Sequence, residues 1–152
     1  MAAQLIYLVL VSSPSLNDSL TGQQNTAIGS ASLAALTSGN DNTAVGRVSL
    51  SNNTTGGQNT AVGRYALSAS TTGSSNTALG AQALNSNTTA SNNTAVGYQA
   101  LYTGNGNNNT AVGYKAATAL TTATNVVAVG DNAYLAGTTG GQTVAVGTNA
   151  LL

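Results

Sequence analysis

Three basic residues, three acidic ones and six tyrosines hold almost all the reactive chemistry of this 152-residue chain. The cations are Arg47, Arg64 and Lys115, and the acids are Asp18, Asp41 and Asp131. There is no His, Cys, Glu, Trp or Phe. Acid–base catalysis near neutral pH relies on His or a tuned carboxylate, and the three carboxylates stand in separate parts of the chain. Zinc and iron–sulfur centres need imidazoles or thiolates. Nucleic-acid binding needs clustered cations to neutralise phosphates. The composition therefore predicts a protein that is not an enzyme, holds no metal or cofactor and binds no nucleic acid. The residues left for surface chemistry are Tyr98 and Tyr114, with Arg47 and Arg64. Each directly follows a glycine of a recurring motif. The tyrosines read as an aromatic platform for a glycan or, more plainly, as a stabilising cross-coil pair. The arginines read as partner contacts or as solvated surface charge. The three aspartates read as turn residues, and the acidic calcium-binding nonapeptide is missing.

What must position these residues is a repeat. Asn25-Thr26-Ala27-Ile28-Gly29 returns at 42–46, 59–63, 76–80, 93–97 and 109–113, and Val127-Ala128-Val129-Gly130 and Val144-Ala145-Val146-Gly147 are divergent copies. The glycines Gly29, Gly46, Gly63, Gly80, Gly97, Gly113, Gly130 and Gly147 are 17 residues apart, except for a step of 16 from Gly97 to Gly113. Three residues after each glycine stands Ser or Ala, and the next position holds Leu33, Leu50, Leu67, Leu84 and Leu101, then Ala117, Tyr134 and Leu151. The missing residue of the short unit falls in the turn 102–108.

A 17-residue unit rich in Gly, Asn and Thr is too short and too poor in helix formers for a helical pair. Each unit predicts two short strands, Thr-Ala-Val and x-x-Ala-Leu, joined by turns, with the motif glycine at a corner. One such coil buries little, and stacking creates the core. The expected fold is all-β: a parallel β-solenoid or left-handed β-roll of eight coils about 4.8 Å apart. Strand alternation puts the Thr position and the residue before Gly on one side. Because Thr becomes Val127 and Val144, that side is expected to face inward. The predicted core is Ile28, Val45, Val62, Leu79, Val96, Val112, Val129 and Val146 with the Leu rank, and the motif Ala is expected to point out towards a neighbouring chain. The motif Asn is expected to form a ladder along the rod.

These motifs resemble trimeric autotransporter adhesin heads, which repeat Ser-Val-Ala-Ile-Gly followed by x-x-Ala. Val126 to Gly130 and Thr143 to Gly147 are close to that pattern, and the Asn-Thr-Ala-x-Gly copies look like a Thr variant. Asn-Thr-Ala-Val-Gly arrays are similar to those of phage tail-fibre-like proteins. The resemblance covers residues 22–152. It implies a left-handed roll, an intertwined or side-by-side homotrimer, and a place in a virion or cell-surface fibre.

Residues 1–24 stand apart from the solenoid domain, 25–152. Leu5-Ile6-Tyr7-Leu8-Val9-Leu10-Val11 is too short to span a bilayer. It lacks the basic flank and cleavage site of a signal peptide. It predicts an assembly strand that caps the first coil, docks on a neighbouring subunit or stacks rods head to tail. The expected function is a structural, trimeric rod of a virion tail fibre or spike. Its partners would be itself and a virion attachment protein or a host-surface glycan. Two alternatives are a bacterial filament or adhesin subunit and an ice-binding solenoid. The ice-binding reading requires the Thr26–Thr110 rank to lie exposed and flat.

Overall fold

The computed structural model describes residues 8–10 and 21–152. Among these the chain is a parallel β-solenoid with one short strand per turn and no helix. The strands are β1 (Leu8–Leu10), β2 (Thr26–Ile28), β3 (Thr43–Val45), β4 (Thr60–Val62), β5 (Thr77–Leu79), β6 (Thr94–Val96), β7 (Thr110–Val112), β8 (Val127–Val129) and β9 (Val144–Val146). They form one nine-stranded sheet in sequence order. The register is strict: Thr43 pairs with Thr60, Ala44 with Ala61 and Val45 with Val62. The eight motif strands delimit seven turns of the rod. The 16-residue step is absorbed without a slip, since Thr94 still pairs with Thr110. β1 adds in parallel to the first motif strand, Val9 opposite Ala27. Leu5, Ile6, Tyr7, Val11 and Asp18 lie outside the described residues.

The inside and the outside of the strand are the reverse of the hydrophobicity reading. Every motif alanine from Ala27 to Ala145 is buried. Ile28, Val45, Val96, Val112 and Val129 are only half-buried, and Val62, Leu79 and Val146 are exposed. The reason is space. The turn is so narrow that the strand faces Leu33, Leu50, Leu67, Leu84 and Leu101, all fully buried, at close range. Only a methyl fits opposite them, and a β-branched side chain there would overpack.

The expected second strand is also absent. The x-x-Ala-Leu stretch is a turn whose residues alternate into the left-handed region: Tyr65 has φ 60° and Leu67 φ 50°. Such a backbone costs a non-glycine residue roughly 1 kcal/mol or more. It is sustained by hydrogen bonds along the rod. Tyr65 N–H donates to the Arg47 carbonyl of the preceding turn at 3.0 Å, and Leu67 N–H to the Ala83 carbonyl of the following turn at 3.0 Å. The corner glycine is needed for a different reason. At Gly46, with φ 129°, a Cβ would lie 2.7 Å from the Gly63 carbonyl carbon in the next turn.

The buried asparagines form the expected ladder. The Asn42 Oδ1 accepts from the Asn59 backbone N–H at 3.0 Å and from its Nδ2 at 3.1 Å, while the Asn59 Nδ2 also donates to the Gly73 carbonyl at 2.8 Å. The same set links Asn25 to Asn42 and Asn59 to Asn76. Each of these side chains reaches a carbonyl 14 residues ahead. The short step displaces that carbonyl for Asn93, whose Nδ2 is buried without a partner. The ladder ends where Val126 replaces Asn. Its N–H still donates to the Asn109 Oδ1 at 3.0 Å.

Candidate binding surfaces on the rod

Two surfaces follow from this register. The first is the outward side of the sheet. Thr26, Thr43, Thr60, Thr77, Thr94 and Thr110 form one half-buried rank, continued by Val127 and Val144. The aliphatic rank from Ile28 to Val146 runs beside it, about 7 Å away along each strand. Between motif strands the spacing is about 4.8 Å, so the double rank extends over roughly 35 Å. This face carries no ionisable side chain. Its threonines point outward, not inward as alternation combined with hydrophobicity suggested.

The second surface is the corner just after the glycine. Arg47, Arg64, Ala81, Tyr98, Tyr114 and Asp131 occupy the first position after it in successive turns. Val48, Tyr65, Gln82, Gln99, Lys115 and Asn132 occupy the second. Backbone bonds hold the second row in line: Tyr65 N–H donates to the Arg47 carbonyl, Gln82 N–H to Arg64, Gln99 N–H to Ala81 and Lys115 N–H to Tyr98. The Tyr98 and Tyr114 rings stack, with centroids 5.5 Å apart and planes 18° from parallel. Both are about half exposed. The Arg47 and Arg64 guanidiniums lie 5.6 and 4.8 Å from the Tyr65 ring centre, and the Lys115 ammonium lies 5.3 Å from that of Tyr114. Arg47 also donates from Nη1 to the Tyr65 hydroxyl at 3.1 Å. That hydrogen bond, then the Arg47 charge, and behind them Arg64, hold the Tyr65 phenol below its usual pKa of 10.0.

All four residues singled out from the sequence, Tyr98, Tyr114, Arg47 and Arg64, lie on this one corner. Tyr65, Lys115, Gln82 and Gln99 join them and were missed. Their common offset of two from the motif glycine was the available signal. Tyr65 places an aromatic ring between the two arginines, whose charges alone would repel across adjacent turns. Away from these residues, in the turn that precedes β3, Asp41 has φ 57°. It borders a shallow polar hollow of about 200 Å³ with Asn40, Thr55, Gly57, Gln58 and Ser74. Among the described residues no group of three or more acidic, His or Cys side chains could hold a metal ion. No described helix is long and apolar enough to cross a membrane. Compared with known proteins, the chain matches no family model, no curated protein and no solved structure.

Proposed function

We propose that this chain is a non-catalytic, rod-forming unit of a virion or cell-surface fibre, assembled as a homotrimer through the outward side of its sheet. The observation that carries the reading is the unbroken aliphatic rank Ile28, Val45, Val62, Leu79, Val96, Val112, Val129 and Val146, half-buried or exposed in the single chain. A contiguous uncharged face of this length is unusual on a soluble monomer and marks a contact surface. Closed cyclic assembly around one axis is the ordinary way to cover such a face on identical rods. The alanines are no longer the contact; the aliphatic rank takes that place. A left-handed coil and export to a surface belong to the same proposal and rest on the likeness to adhesin heads and tail-fibre repeats. Light scattering tests it. A particle of ~44 kDa, three chains of 14.8 kDa each, supports the trimer, and a stable single-chain mass refutes it.

The outward threonines favour one second reading, ice binding. An uncharged double rank of hydroxyls and methyls repeated at strand spacing can order water against a crystal surface. Thermal hysteresis in a monomeric preparation, abolished by Thr77→Lys, would put this reading in place of the fibre. Its absence would remove it.

A further inference from the structure

The corner surface has a gap in it. In the row Arg47, Arg64, Ala81, Tyr98, Tyr114, large side chains stand on either side of one methyl. Because Tyr98 stacks on Tyr114 along the rod axis, the opposite face of its ring turns towards the Ala81 turn. Arg64 stands in the same row on the other side of Ala81, two turns from Tyr98, with its guanidinium 4.8 Å from the Tyr65 ring centre. Two strand spacings are about 9.6 Å, enough for one ring in van der Waals contact with both walls. Gln82 and Gln99 stand in the second row directly after Ala81 and Tyr98, with Gln99 Nε2 donating to Gln82 Oε1 at 2.9 Å.

We propose that this notch binds one acidic sugar unit of a linear acidic polysaccharide. Three features of the notch point the same way. The face of Tyr98 suits the C–H side of a pyranose. Arg64 suits a carboxylate or sulfate, since a planar guanidinium pairs with such groups in bidentate fashion. The two amides suit hydroxyls, which need both donors and acceptors. The charge pattern extends the argument along the rod. All three cations of the chain, Arg47, Arg64 and Lys115, fall on this corner, and among the described residues their partners are tyrosine rings. They span four turn steps, roughly 19 Å, a length over which a chain with spaced charges can lie. Asp131, one turn beyond Lys115, ends the positive run. A nucleic-acid strand fits less well, because three cations neutralise few phosphates. In an acidic polypeptide the charged side chains, Asp and Glu, carry no ring, so one group cannot both fill the notch and meet Arg64. The site lies on the corner, so it stands whether the rod is a trimer or a monomer.

Titration calorimetry of the intact protein with a purified tetramer of linked uronic acids tests the proposal. Polyglutamate and an oligothymidylate of matched charge serve as the other arms, and the particle mass is measured on the same samples. Saturable binding of the uronate tetramer is expected. Ala81→Leu fills the notch from a half-buried position and is expected to weaken binding at least tenfold with an unchanged melting curve. Arg64→Gln and Tyr98→Leu are expected to do the same, while Tyr98→Phe retains binding. No uronate binding, wild-type binding by Ala81→Leu, or equal binding of polyglutamate or oligothymidylate each overturns the assignment.

Discussion

Each strand of this rod has two sides that obey different rules. The inner side is uniform. All eight motif copies carry Ala at the strand centre, and each of those alanines is buried. The outer side varies. Thr gives way to Val, and Val to Ile or Leu. Uniformity marks the side where a single methylene too many has nowhere to go. Variation marks the side where several shapes serve, as at a contact made by apolar character and flatness. The buried asparagines belong with the inner side, because each supplies hydrogen bonds that the neighbouring turns need.

The largest effect is expected from breaking the inner ladder. Asn59→Ala leaves the Asn76 N–H and the Gly73 carbonyl without the partners they have in the rod. Each buried unpaired group costs about 1–3 kcal/mol. A loss of about 3 kcal/mol or more is expected, read as a fall of roughly 10 °C in the melting temperature. A second inner change, Ala78→Leu, drives three extra carbons into a closed space. A cost of roughly 2–3 kcal/mol is expected from overpacking, measured by chemical unfolding. If Ala78→Leu were as stable as the parent chain, the inner side would not be the closed one.

The outer side is expected to respond in the opposite sense. Val62→Lys with Leu79→Lys changes two exposed side chains. The cost to the single chain is expected to stay below about 1 kcal/mol. If the proposed trimer forms through this face, sedimentation velocity is expected to show the double variant as single chains, because each contact would then set lysines against lysines. A trimer that survived the pair would show that the aliphatic rank is not its interface.

The period, the parallel register, the corner glycines and the buried Leu rank were legible in the sequence, because spacing alone dictates them. The direction of the strand was not. Alternation groups Thr26 with Ile28 against Ala27, but it does not say which group is inside. Hydrophobicity favoured Ile28, and the narrow turn favoured Ala27. The deciding signal was present in the chain's internal comparison: of the three strand positions only the Ala is the same residue in every copy. The missing second strand had no such signal, since left-handed φ values at Val48 or Leu50 run against their intrinsic preference. The turn-to-turn hydrogen bonds that hold them exist only once the turns have stacked. The candidate notch was half legible. Tyr98, Tyr114 and the two arginines stood out by phase, but the role of Ala81 depends on its having large neighbours above and below.

The smallest expected effect concerns the charge on the corner. Arg47 donates to the Tyr65 hydroxyl and, with Arg64, favours its ionised form. The folded phenol therefore releases its proton at a lower pH than the unfolded one. A depressed acid stabilises the fold once it is ionised, so the gain is complete above the usual tyrosine value near 10 and is lost as pH falls through the folded value. At neutral pH the ionised pair contributes nothing. Ultraviolet titration is expected to show the Tyr65 phenol ionising below the ordinary tyrosine value. That early component should vanish in Tyr65→Phe and move to higher pH in Arg47→Gln. If Tyr65 titrated at the ordinary tyrosine value, the corner would lack the close cation–phenol contact, and the outer surface would be as featureless electrostatically as the sheet face beside it.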